Sequence, residues 1–429
     1  MTTTGIIAEY NPFHNGHALH IRETREQTGC DYVIAVMSPD FVQRGEPAVT
    51  DKYRRAKMAL LEGADLVLEL PVFCATGSAE YFAEGGVRIL NSLGCVDYIS
   101  FGCEHPDLEL LWAITDIFSE EPPLYKSLLQ ERLAAGASWP TARAAALLAY
   151  VEQVSSHPDE DALLPPYGID DLPNVLAGSN NILAIEYLKA LRFCESTIEP
   201  VPIQRTAVSH SSTQFDQKLG FASGAAIREM IMTQPVTWRK SLSKFMPARA
   251  FDLLPENTRD DVFRVRSVLD RLLQYRLLSD PAYDAYFDVS PDLANRMEKL
   301  FPLYRGAGQF ASLVRIKQYT EARIRRSLLH ILLSITKEDG EAFRSGTYAP
   351  YIRILGFRRA STPLLHRIRE TSHSPLITKL ADAGTILSDD PQKLEWLKKD
   401  IFASHMYQMM RREADAPMRS EYERSPVII

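Results

Sequence analysis

The sequence predicts an α/β protein built on a doubly wound parallel sheet, with a helical insertion and an all-helical C-terminal domain. Three observations carry that expectation. Through the first 105 residues, short apolar runs alternate with helix-like segments of 11 or more residues, the rhythm of βαβ units around a sheet buried on both faces. The strand signal disappears over about residues 105–178 and returns near residue 198. Beyond residue 235 the apolar spacing is that of helices. Residues 1–235 therefore read as the sheet domain with its insertion, and residues 236–429 as the helical domain.

Taken in order, "GIIAEY" is the first strand and a helix runs from about His14 to Gln27. "DYVIAVM" (31–37) is a buried strand, "DKYRRAKMALLEGA" (51–64) an amphipathic helix, and "DLVLELP" (65–71) a strand. A helix from about Ser78 to Ser92 leads to "CVDYISFG" (95–102). Asp65 and Asp97, which precede or interrupt strands, read as turn residues. The insertion carries a helical stretch at 132–153 and a proline-rich connection at 163–173. "SNNILAIEYLKAL" (179–191) and "IEPVPIQR" (198–205) restore the helix–strand alternation. "SGAAIREMI" (223–231) starts a further helix with Ser223 as N-cap. Helical periodicity continues at 260–278 and 320–335, and the tail after about Asp415 reads as loose.

A net charge of -7 over 429 residues argues against a protein that coats nucleic acid non-specifically. Residues 305–369 depart from that balance, with thirteen Lys or Arg against four Asp or Glu and aromatics interleaved. Arginines among aromatics suit RNA phosphates and unstacked bases. The five cysteines form no CxxC pair and no Cys/His cluster at metal-ligand spacing, so they read as reduced, mostly buried thiols, and no metal site is expected. No stretch approaches the length of a membrane span, and no secretory pattern opens the chain, which predicts a cytoplasmic protein with no membrane partner.

"NPFHNGH" carries the chemistry. His14 and His17, at i and i+3, share one face of a helical turn. At a helix start they stand beside backbone N–H groups that have no partner inside the helix, so the segment reads as an anion cradle with two added donors. Pro12 fixes the turn, and Gly16 lets a phosphate chain lie close to the helix start. In that arrangement His14 and His17 donate to the α-phosphate oxygens of a nucleotide while charge develops on them. His210 sits in a polar loop able to close over such a site.

This HxGH pattern resembles that of the nucleotidylyltransferase superfamily. With "FVQRGEPAVTDKYRRAKMAL" (41–60), "FGCE" (101–104), "GASWPTAR" (136–143), "NNILAIEYLKAL" (180–191) and "ASGAAIR" (222–228), in that order, the chain resembles the tRNA(Met) cytidine acetate ligase family. "ARIRRSLLHILL" and "YIRILGF" (351–357) extend the likeness into the C-terminal region. The resemblance implies an enzyme that uses ATP and acetate to form acetyl-adenylate, then acetylates N4 of the wobble cytidine of elongator tRNA(Met); Mg2+ is expected because it neutralises the departing pyrophosphate. The resemblance also implies ATP contacts from Ile7, Glu9, Asn11, Phe13, His14, Asn15, Gly16, His17 and His20, and from Gly102, Asn180 and Arg205. Phosphate or tRNA contacts are expected from Arg44 and Arg228, and RNA contacts from Arg325, Arg326, Arg358 and Arg359 in the basic window. Two other readings stay open on the residues alone: an adenylyltransferase for a small molecule, and a nucleotide- or RNA-binding protein without turnover.

Overall fold

In the computed structural model, which describes residues 1–156, 171–205, 215–216, 220–344, 346–413 and 416–429, the apolar runs of the N-terminal region become strands. β1 (Thr3–Ala8), β2 (Tyr32–Met37), β3 (Leu66–Glu69), β4 (Tyr98–Cys103) and β5 (Glu199–Gln204) are parallel, in the spatial order β3-β2-β1-β4-β5. Strand order reverses between β1 and β4, which leaves a crevice outside their carboxyl ends. β3 is buried along its whole length, as a strand covered on both faces must be. Pro200 and Pro202 are tolerated in β5 because it is the edge strand, where a missing N–H breaks no ladder.

The helices begin and end where local chemistry dictates. α1 (Asn15–Thr28) stops at left-handed Gly29, whose N–H closes on the Arg25 carbonyl. α2 (Lys52–Leu61) is capped by Asp51, which accepts from the Arg54 N–H at 3.0 Å. Asp97 accepts from the Thr3 N–H at 2.7 Å and Asp65 from the Val33 N–H at 2.8 Å, so both fix the amino ends of strands. The insertion is helical, at Leu108–Glu120, Pro123–Ala134 and Trp139–Ser156. α3 (Ser179–Phe193) and α4 (Gly224–Thr233) then bring the chain back to the sheet.

Beyond residue 235 the expectation of an all-helical domain is corrected. α5 (Thr258–Ser279), α6 (Glu321–Leu333) and α7 (Pro391–Arg411) are helices, yet three strands from the same region extend the sheet. β6 (Ile352–Phe357) pairs antiparallel with β3, while β7 (Leu376–Ile377) and β8 (Val427–Ile428) pair parallel with β6. The central strand of this extension holds a buried arginine, Arg353, which hides its apolar character from a local reading. Its charge is neutralised by distant residues. Arg353 lies 2.8 Å from Glu69 and 2.7 Å from Glu421, and Lys52 lies 2.6 Å and 3.0 Å from the same two carboxylates. Two cations and two carboxylates cancel, the condition for burying them.

The same cluster corrects the expectation of a loose tail. Glu421 is buried, the Ile429 N–H donates to the Phe357 carbonyl at 3.3 Å, and the Arg359 N–H donates to Ile429 at 2.9 Å. All five cysteines are buried and unpaired. Among the described residues no helix is long and apolar enough to cross a membrane.

Candidate active site

β1 leads into a turn through Tyr10, at φ 48°, and a cis Asn11–Pro12 bond. His14 is the N-cap of α1, in extended conformation, and its N–H donates to His17 Nδ1 at 3.2 Å. The two imidazoles stack, with centroids 3.6 Å apart and planes 18° from parallel. Tyr10 and Phe13, both buried, place their rings 4.8 Å and 5.4 Å from that of His17. The i, i+3 spacing thus caps the helix and orients two donors at once. Gly16 contributes by its lack of a side chain: a Cβ there would stand 3.0 Å from Cε1 of His14.

His14, Gly16, His17, His20, Gly102 and Arg205 line one cleft, with Phe221, Ala222 and Ser223 on its far wall. Its volume, about 620 Å³ including the open mouth, suits a small ligand. It lies where strand order reverses. Two helix N-termini reach it, α1 at His14 and α4 at its N-cap Ser223, whose Oγ accepts from the Ala226 N–H at 3.1 Å. The unpaired first-turn N–H groups of both helices give the cleft the polarity of an anion site.

His20 lies one turn deeper, with Nε2 3.0 Å from Ser100 Oγ, itself 2.8 Å from Thr24 Oγ1. Burial and the neighbouring Arg205 hold its imidazole down at about 4, so it is neutral at neutral pH. A Cβ at Gly102 would press on the Arg205 side chain at 3.1 Å, so the glycine gives the arginine its seat across the cleft. Burial lowers the Arg205 pKa, and Glu104 works in the other direction.

The remaining residues expected at the nucleotide make contacts within the protein. Asn11 Oδ1 accepts from the Val49 N–H at 2.8 Å, and Asn15 Nδ2 donates to the carbonyls of Gly220 and Lys244 at 2.8 Å and 3.0 Å. Ile7 packs against the core and Phe13 backs His17. Glu9 accepts from the Gln43 N–H at 3.0 Å; burial raises its pKa, opposed by Arg228 and Arg44. Asn180 Nδ2 donates to Glu104 at 2.6 Å at the start of α3, and does not line the cleft. His210 lies outside the described residues.

The arginines divide. Arg228 Nε lies 2.9 Å from Glu46, and its Nη1 donates to the Asn11 carbonyl at 2.9 Å, directly behind the histidine turn. Arg44 is exposed in the hairpin between Phe41–Val42 and Glu46–Pro47. Gly45, at φ 73°, lets that hairpin touch α6: a Cβ there would lie 2.6 Å from the backbone nitrogen of Arg326. Arg325 pairs with Glu321 at 2.6 Å and Arg326 with Asp288 at 3.5 Å. Arg358 and Arg359 stand at the other end of the sheet, where the Arg358 N–H donates to the Asp65 carbonyl at 2.9 Å. The basic window is therefore not one face. Sequence reasoning missed Glu46, because its partner Arg228 comes from a distant helix. Among the described residues no three His, Cys, Asp or Glu side chains gather to hold a metal.

Comparisons with known proteins give the family and the fold. The sequence profile described as HIGH Nucleotidyl Transferase matches residues 1–421. The tRNA(Met) cytidine acetate ligase of Acetivibrio thermocellus is 39% identical over 421 residues, covering 95% of each chain. That of Clostridium perfringens is 38% identical over 430 residues, covering 100% of each. The crystal structure of Thermotoga maritima TmcAL bound with alpha-thio ATP is similar at a TM-score of 0.87 and 30% identity, over 100% of this chain and 99% of that one. Its apo form gives a TM-score of 0.90 at 30% identity over the whole of both chains.

Proposed function

The chain belongs to the tRNA(Met) cytidine acetate ligase family of HIGH nucleotidyl transferases, and from that membership we propose that it is an ATP-dependent ligase that acetylates N4 of the wobble cytidine of elongator tRNA(Met). The observation that carries the reading is the cleft itself. Two stacked histidines and two helix N-termini converge where the strand order reverses, an arrangement suited to a triphosphate.

In the first step an acetate oxygen attacks the α-phosphorus of ATP and pyrophosphate leaves, giving acetyl-adenylate. His14 and His17 donate to α-phosphate oxygens as charge builds there, and their preformed stack removes the cost of orienting them during reaction. Arg205 and the α4 N-terminus meet the remaining phosphate charge, and neutral His20 packs the floor. Mg2+ would be held by the triphosphate oxygens, since no three His, Cys, Asp or Glu side chains gather among the described residues, and would neutralise the charge of the departing pyrophosphate. In the second step the N4 amine of cytidine attacks the acyl carbon, AMP leaves, and the amine gives up a proton. Arg44 and Arg325, on the hairpin and helix that meet at Gly45, are the basic side chains offered to the RNA in this reading. We place the reaction in the cytoplasm, with residues 1–235 supplying the ATP site.

The test uses purified protein with ATP, radiolabelled acetate and elongator tRNA(Met). Label should enter the tRNA as N4-acetylcytidine with release of AMP and pyrophosphate, and acetate should drive ATP–pyrophosphate exchange without tRNA. Exchange driven by a different acid, or label reaching a small molecule and not tRNA, would refute the reading.

A further inference from the structure

The exposed face of α5 carries arginines outside the window 305–369 that stand free of carboxylates. Phe263, Arg266, Ser267, Asp270, Arg271 and Gln274 fall at i, i+3, i+4, i+7, i+8 and i+11, a single helical stripe. Arg266 and Arg271 are exposed on it and Arg305 is exposed beside it, and their guanidinium groups have no ion-pair partner among the described residues. Asp270 is the acidic member of the stripe, but its Oδ1 accepts from the Ala307 N–H at 2.7 Å. Phe263 is 40% exposed, with the Arg259 guanidinium 4.6 Å over its ring.

The groove beside this stripe ends at Glu46, whose partner Arg228 backs the histidine turn. The stripe lines an open groove with Tyr304 and Arg305, and a second groove of about 980 Å³ shares Arg266, Asp270 and Arg305 and runs on to Gly45, Glu46 and Arg325. Glu46 pairs with Arg228, which donates to the Asn11 carbonyl in the histidine turn. Guanidinium groups free of carboxylates, an exposed ring at one end of the stripe and an open groove running along it are what a single-stranded RNA loop requires.

We propose that the stripe of Phe263, Arg266, Arg271 and Arg305, with the groove to Glu46, is the track on which the RNA loop lies, phosphates on the arginines and one unstacked base on Phe263. The inference rests on the tRNA reading above and extends that partner from Arg305, at the edge of the basic window, to a helix outside it.

The test pairs tRNA binding at several salt concentrations with acetate-dependent ATP–pyrophosphate exchange in the absence of tRNA. Arg266→Ala, Arg271→Ala and Arg305→Ala combined should lower tRNA affinity by at least about tenfold and make the salt slope shallower by roughly 2, the share of three single-strand phosphate contacts. Exchange should stay within about twofold, since these exposed side chains do not reach the ATP cleft. The corresponding triple lysine variant should restore the slope, and Phe263→Ala should weaken binding without changing it. Unchanged affinity and slope in the triple alanine variant would overturn the track. So would a change of oligomeric state with tRNA binding intact, which would give this face to a second copy of the chain. If the unaltered protein shows exchange but neither binds nor acetylates tRNA, the tRNA reading fails and the track fails with it.

Discussion

Arg228 and Glu46 form an ion pair, Nε to Oε1 at 2.9 Å, while a second guanidinium nitrogen donates to the Asn11 carbonyl at 2.9 Å. The pair joins the hairpin, the histidine turn and α4 at one point beside the cleft. An arginine so placed can exchange a carboxylate for a phosphate without moving far. Arg228→Ala should therefore raise KM for ATP roughly 10- to 100-fold, the range for losing a hydrogen bond to a charged group. Glu46→Gln should lower that KM, because Arg228 no longer has a competing partner. ATP–pyrophosphate exchange titrated with ATP reads both, and wild-type KM in each variant would remove Arg228 from the nucleotide.

The histidine pair is expected to carry most of the chemical rate. His14→Ala and His17→Ala should each slow adenylate formation on the order of 10²–10³-fold, the usual effect of losing one preorganised donor. His17 also accepts from the His14 N–H, so His17→Ala should cost about 0.5–2 kcal/mol as a lost helix cap. His17→Asn keeps an acceptor within reach, and should regain stability but not rate. Parallel urea unfolding and single-turnover measurements separate the two effects; near-normal turnover in the alanine variants would refute the role at the α-phosphate.

Gly16 offers a sharper probe, since replacing it removes no functional group. A Cβ there would meet His14 at 3.0 Å to Cε1 and 3.1 Å to Nδ1, so the ring must shift by a few tenths of an ångström against its stack with His17. Alanine is also the better helix former, by up to about 1 kcal/mol. Gly16→Ala should thus be as stable as the parent or more so, and yet lose activity on the scale of His14→Ala. Unchanged activity would mean that the ring has room to yield.

What could be read from sequence was local. β1, α1 and the paired histidines declare themselves through apolar periodicity and a seven-residue motif whose parts sit side by side in space. Gly102 and Arg205 were anticipated only through the family likeness, and they do meet at the cleft. β6 was missed because a strand containing Arg353 looks half polar until Glu69 and Glu421 arrive from far along the chain. The free arginines on α5 were missed for a related reason. Charge counting weighs every arginine equally, whereas Arg326 is paired with Asp288 and Arg266 with nothing described.

The buried quartet ties the C-terminal tail to the sheet, and its acid sensitivity follows from Glu421. Burial works against that carboxylate, but Lys52 and Arg353 together hold it down at about 2, below its ordinary value of 4.5. A carboxylate whose pKa falls on folding stabilises fully above about pH 4.5, and that contribution is lost as the pH drops toward 2. Glu421→Gln leaves two buried cations facing Glu69 alone, which should cost roughly 3–5 kcal/mol at neutral pH. The variant should also show a flatter loss of stability between pH 4.5 and 2 than the parent, because the titrating group is gone. Urea unfolding across that range reads both effects. Equal stability at pH 7 with an unchanged acid limb would show that the quartet does not hold the tail; a large loss at pH 7 with the limb flattened would show that β8 and the parallel sheet unfold as one unit.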